Sequence, residues 1–162
     1  MDPEGILTTA AEISIAIAGF SGIVVAVAPG HLAELPTAAK SILSTLLLVT
    51  ASTFTFSFVP LLLLSADISD EVAWVAASLL HTIYLVSAVA YRVNQSRRRA
   101  PEDRPGGAFF LFSVLVAGTF VLQIVNALWI QAAWPYLVAM VVMNLSAFLV
   151  FSILMWGFVS AA

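Results

Sequence analysis

A chain of 162 residues in which 62% are hydrophobic and only 9% are charged has too little polar surface to cover a soluble core, which excludes a water-soluble globular protein. The absence of cysteine removes disulfides, thiolate metal sites and cysteine nucleophiles together. The net charge of −3 decides little by its sum, because the placement of the charges carries the information.

The first predicted span covers about 5–28, GILTTAAEISIAIAGFSGIVVAVA, with Glu12 as its single charge. At about 1.5 Å per residue it reaches about 36 Å, enough to cross a hydrocarbon core of roughly 30 Å with some tilt. Helical stepping puts Gly5, Thr8, Glu12, Ala16, Gly19, Ile23 and Ala26 on one stripe, with Ile6, Ile17, Val24 and Val25 on the other side. Small residues let another backbone approach closely in lipid. The stripe is therefore expected to face protein through Ala16, Gly19, Ile23 and Ala26, with Glu12 received inside the bundle. Ala26-Val27-Ala28 has the look of a signal-peptide end. Asp2 and Glu4 stand where a signal carries basic residues, however, and Pro29 follows, so the stretch reads as a retained helix.

A short connection between Pro29 and Pro36 leads into the second span, 37–64, where Thr50, Thr53 and Ser57 share one face. Pro60 lacks a backbone donor and frees the Phe56 carbonyl, which predicts a kink. In the acidic turn that follows, Asp67 or Ser69 is expected to cap the next helix. The third span, 70–93, carries Trp74, Ser78, His81, Leu85 and Ala88 on one side, and Arg92 to Gly107 forms the one clear polar loop. The fourth, 108–130, aligns Thr119, Gln123 and Asn126. The fifth, 135–159, opens at Pro135, a favourable first helical position, and holds Asn144 near its middle. The fold class is all-α integral membrane, a five-helix transmembrane bundle forming a single domain over 1–162.

With five spans, Lys40, Arg92, Arg97, Arg98, Arg99 and Arg104 fall on one side, and Asp2, Glu4, Asp67, Asp70 and Glu71 on the other. The positive-inside rule then places the N-terminus outside and the C-terminus in the cytoplasm. Trp74, Trp129, Trp134 and Tyr136 would mark the outer interface, and Tyr91 and Trp156 the inner one. Arg97, Arg98 and Arg99 read as contacts to anionic lipid headgroups rather than to nucleic acid.

In this orientation Glu12 lies about 10 Å below the outer surface, Ser57, Gln123 and Asn126 at about 8 to 12 Å, and Thr53, His81 and Asn144 at about 14 to 16 Å. Five helices thus offer polar groups to one layer, and an unpaired charge in hydrocarbon is costly. The layer is expected to gather around Glu12. One reading makes it a proton or cation site, with Glu12 and His81 titrating and Gln123, Asn126, Asn144, Thr53 and Ser57 as neutral ligands, in a small oligomeric channel or transport protein. The other makes the amides and hydroxyls interhelical glue in a non-catalytic accessory or assembly subunit that packs against a larger membrane complex.

No nucleophile elbow, phosphate-binding glycine loop or metal-ligand spacing is present, and His31 with Glu34 amounts to two polar loop residues. The chain is expected to be no enzyme and to use no cofactor and no metal. Ala11-Glu12-Ile13 and Ala18-Gly19-Phe20-Ser21-Gly22-Ile23, together with Pro135-Tyr136-Leu137, resemble a set of small, uncharacterised bacterial multi-pass membrane proteins. The resemblance implies a bacterial inner-membrane location and transfers no functional residues.

Overall fold

The computed structural model describes residues 2–27, 37–97 and 108–159. His31, Glu34, Arg98, Arg99 and Arg104 lie outside them. The described elements are all helical: α1 (Pro3–Val27), α2 (Thr37–Ser65), α3 (Asp70–Arg97), α4 (Ala108–Val125), a π turn (Asn126–Ile130) and α5 (Ala133–Val159). Five helices are long and apolar enough to cross a membrane, which supports a multi-pass protein in contact with lipid.

The ends depart from expectation for physical reasons. Helix α3 continues past Val93 to Arg97, because a helical backbone satisfies its own polar groups while long basic side chains reach outward. Helix α4 changes to a π turn at Asn126, and Gln131 closes that turn in the left-handed region at φ 54° and ψ 39°. Its N–H bonds the Asn126 carbonyl at 2.8 Å. Helix α5 starts at Ala133, ahead of Pro135, which still sits in the first turn where its missing N–H costs nothing.

Helix α2 runs on through the buried Pro60 to Ser65. It ends with Asp67 in the left-handed region at φ 56°. The Ile68 N–H bonds the Leu63 carbonyl at 3.3 Å and the Asp67 N–H bonds the Leu64 carbonyl at 3.2 Å, a Schellman pairing that satisfies the last carbonyls of the helix. Asp67 therefore closes α2 instead of capping α3. Ser69 contributes its backbone carbonyl, which accepts the Ala73 N–H at 2.9 Å.

The helices form a ring in chain order, with α2 and α5 also touching across it. Half of the apolar stretch of α5 is buried, against 28% of that of α1, which makes α5 the central packing element. The core has two apolar clusters. One, toward the acidic end, is built from Leu7, Ala10, Trp74, Ala77, Tyr136 and Met140 among others. The other, toward the basic end, includes Ile17, Leu46, Val49, Leu85, Met143 and Val150. A band of buried polar residues lies between them on every helix.

Asp67 pays the steric cost of a left-handed residue that glycine escapes. Asp67→Gly is expected to raise unfolding stability in mixed micelles by up to about 1 kcal/mol, and Asp67→Val to lower it by about 1–2 kcal/mol.

Candidate functional site

The band between the clusters contains Ser14 from α1, Thr50, Thr53 and Ser57 from α2, Ser78 and His81 from α3, Thr119 and Gln123 from α4, Asn126 from the π turn and Asn144 from α5, all buried. Glu12 is not among them. The whole stripe of Gly5, Thr8, Glu12, Ala16, Gly19, Ile23 and Ala26 faces outward, and the inward face of α1 is Leu7, Ala10, Ala11, Ser14, Ile17 and Ser21. The expectation that Glu12 organises the layer, and that Ala16, Gly19, Ile23 and Ala26 pack inside the bundle, is thus corrected. Ser14 takes the place of Glu12. It belongs to a second small-residue face that carries hydroxyls and no charge, so burying it forces no ionised group out of contact with water or a partner.

The remaining members divide by chemistry. Hydroxyls largely bond backward within their own helices: Thr53 Oγ1 donates to the Val49 carbonyl at 2.9 Å, Ser57 Oγ to the Thr53 carbonyl at 2.8 Å and Thr50 Oγ1 to the Leu46 carbonyl at 3.0 Å. A hydroxyl committed to its own helix contributes little to joining two helices. Amides do the joining. Asn144 Nδ2 donates to the Ala10 carbonyl at 3.1 Å, and its Oδ1 is 2.9 Å from Ser14 Oγ. Ser14 Oγ is also 2.8 Å from the Ala10 carbonyl, so its single proton is shared between two acceptors.

Asn126 Nδ2 donates to Ser78 Oγ at 2.9 Å, and its Oδ1 accepts the Ala132 N–H at 3.1 Å. With its carbonyl holding Gln131, Asn126 both ties α3 to the π turn and closes that turn. The Phe56 carbonyl that Pro60 leaves without its helical donor accepts Tyr136 Oη–H at 2.7 Å. Tyr136 and Trp74 are therefore core residues and not interface markers, whereas Trp129, Trp134, Tyr91 and Trp156 are exposed. Ser14, Thr50, Ser78, Thr119 and Tyr136 are the participants that the sequence did not single out as site residues.

His81 and Gln123 remain. Both are wholly buried, and neither ring nitrogen of His81 nor either amide atom of Gln123 has a hydrogen-bond partner. The Ser78–Asn126 bond fixes the register between α3 and the antiparallel segment, which sets His81 and Gln123 one turn further on at a common level. Aromatic rings enclose the imidazole, with Phe56 at 4.8 Å and Tyr136 at 6.1 Å between centroids. Among the described residues no group of His, Asp and Glu comes together as a metal ion would need.

Tyr136→Phe leaves a proline-freed carbonyl bare and is expected to cost about 1–2 kcal/mol of stability, read from unfolding in mixed micelles. Gln123→Met removes unsatisfied groups at nearly constant volume, so it is expected to raise stability by about 1–2 kcal/mol. A loss of stability in Gln123→Met would show that the amide has a partner in the working protein. Comparison with protein families, with curated proteins and with solved structures finds no match, so the meaning of the layer rests on the residues of this chain.

Proposed function

We propose that the chain is a non-catalytic packing subunit of a membrane, which associates through the outward face of α1 with a second membrane helix, supplied by another copy or by a larger complex. The observation that carries this reading is the direction of the Glu12 stripe. The bundle builds its polar layer without it, leaving a carboxylate about 13 Å along α1 from Pro3 on a face made otherwise of small and apolar residues. A charge at that depth in lipid is costly unless paired, and small neighbours admit the backbone that could pair it. A methyl group built at Gly19 or Gly22 meets nothing within 4 Å, so internal packing does not require either glycine.

The charge pattern supports an orientation with the N-terminus outside. Asp2, Glu4, Asp67, Asp70 and Glu71 gather at one end of the helices, and Lys40, Arg92 and Arg97 at the other. A bacterial inner membrane fits that bias. A proton or cation channel is the second reading. Its support is the unpartnered polar atoms of His81 and Gln123, since Thr50, Thr53 and Ser57 are satisfied within their own helix.

Single-molecule photobleaching in lipid vesicles, with photo-crosslinking from position 22 in native membranes, tests the association. Wild type is expected to pair, and Gly19→Leu to weaken pairing roughly tenfold while leaving unfolding stability unchanged. A chain that stays monomeric at every protein-to-lipid ratio and captures no partner in native membranes sinks the reading. Vesicles carrying the protein are expected to show no proton or cation flux above empty ones. Flux that disappears in Gln123→Met would favour the channel.

A further inference from the structure

On the far side of the ring from α1, the ring nitrogens of His81 on α3 and the amide of Gln123 on α4 are wholly buried and have no hydrogen-bond partner. Polar groups around them are not in that state. Ser52 Oγ donates to the Val49 carbonyl at 2.8 Å, Tyr84 Oη to the Leu48 carbonyl at 3.3 Å and Thr119 Oγ1 to the Leu115 carbonyl at 3.0 Å. Buried polar atoms are nearly always paired in folded proteins, so a cluster of unpaired ones marks a place for a partner from outside the chain.

Toward the basic end from this pair, a cavity of about 820 Å³ lies between α2, α3 and α4, within the range of about 300–1,000 Å³ common to small-molecule sites. Its walls are mainly apolar, and Leu85, Phe120 and Met143 form the inner end, about one helical turn from His81 and Gln123. Side chains on a helix lean toward its N-terminus, which for α4 is the basic end, so the long side chain of Gln123 is set toward the cavity. His81, on the antiparallel α3, leans the other way, between the rings of Phe56 and Tyr136. Val86, Val89 and Val93 line the cavity and are also exposed, which opens it sideways to the hydrocarbon of a bilayer.

We propose that the cavity binds an uncharged, single-tailed lipid whose hydroxyl head bonds the Gln123 amide, with His81 as its second partner, and whose tail fills the space between α2, α3 and α4. The head passes Leu85 and Phe120, whose side chains change rotamer without a shift of backbone. A neutral imidazole and an amide each offer both a donor and an acceptor, and a hydroxyl answers with both, whereas an ether only accepts. Among the described residues no Asp, Glu, Lys or Arg is buried, so a charged head at this level would lack a counter-ion. The empty site keeps its polar atoms unpaired, so the stability expected from Gln123→Met and the ligand lost with it belong together. This inference does not rest on the association proposed above, because no residue of α1 lines the cavity.

Photolabelling of the full chain in phosphatidylcholine vesicles with a diazirine analogue of tetradecanol, read by mass spectrometry of the labelled peptides, provides the test. Wild type is expected to label saturably on the cavity walls, and unlabelled tetradecanol to compete about tenfold better than its methyl ether. Gln123→Met should lower labelling about tenfold while raising unfolding stability, a pair of signs that a merely structural amide would not give. Ala88→Phe, which fills the cavity and leaves the amide in place, should abolish labelling of the walls. Helical content and unfolding temperature identify folded variants, and if Gln123→Met does not fold, Ala88→Phe and the competition series decide. Equal competition by the alcohol and its methyl ether, stronger competition by tetradecanoate, labelling that does not saturate, or unchanged labelling in either variant would each overturn the proposal.

Discussion

The hydrogen bonds that Asn144 makes with α1, its Nδ2 donating to the Ala10 carbonyl and its Oδ1 accepting from Ser14 Oγ, fix the rotation of α1, and much of the molecule follows from that rotation. With Ser14 turned toward α5, Ala10, Ile17 and Ser21 follow on the same side. Glu12 must then point away. An amide can satisfy a hydroxyl and a carbonyl at modest cost, whereas an enclosed carboxylate would need a cation, and the polar band of this chain offers none. The bundle thus keeps its interior uncharged and exports its one mid-helix charge to the surface of α1.

That outcome explains why the five helices were legible in the sequence and the facing of α1 was not. Spans are set by length and apolarity, which the one-dimensional pattern carries directly, and the helices fall within a few residues of the expected bounds. Rotation about the helix axis is a different matter. In water, the buried face is the apolar one. In lipid, both faces can be apolar, and α1 presents small residues on each side. The presence of Glu12 drew the sequence reading to the wrong face. Ser14 on the other face, matched to an asparagine on α5, was the better signal, but only the pairing of helices turns it into one.

The same limit applies to Arg92 and Tyr136. Both stand where aromatic and basic residues usually mark an interface, and both instead reach across to α2. Tyr136 was foreseeable in part, because a proline at position 60 leaves the Phe56 carbonyl in need of a donor. Which residue would supply it depends on α5 crossing α2, and that is a property of the ring. The π turn is similar: Asn126 reads as a member of a helical face, yet its side-chain oxygen and its backbone carbonyl both serve to end the helix.

Within the ring, the α2–α5 contact separates a three-helix side containing α1 from a four-helix side containing α3 and α4. On the three-helix side Asn144 ties α5 to α1, and the buried hydroxyls of the described residues bond back within their own helices. The four-helix side is filled at the acidic end by Trp74 and Tyr136, holds His81 and Gln123 without partners at the middle level, and is open at the basic end. The inner limit of the cavity, at Leu85 and Phe120, stands about one helical turn from His81 and Gln123. A wider interior accommodates unsatisfied groups more readily, because neighbouring helices cannot close upon them as they do around Asn144. Incomplete closure on one side and an exported charge on the other have a common origin: five helices, one of them central, cannot be equally tight around every face of α5.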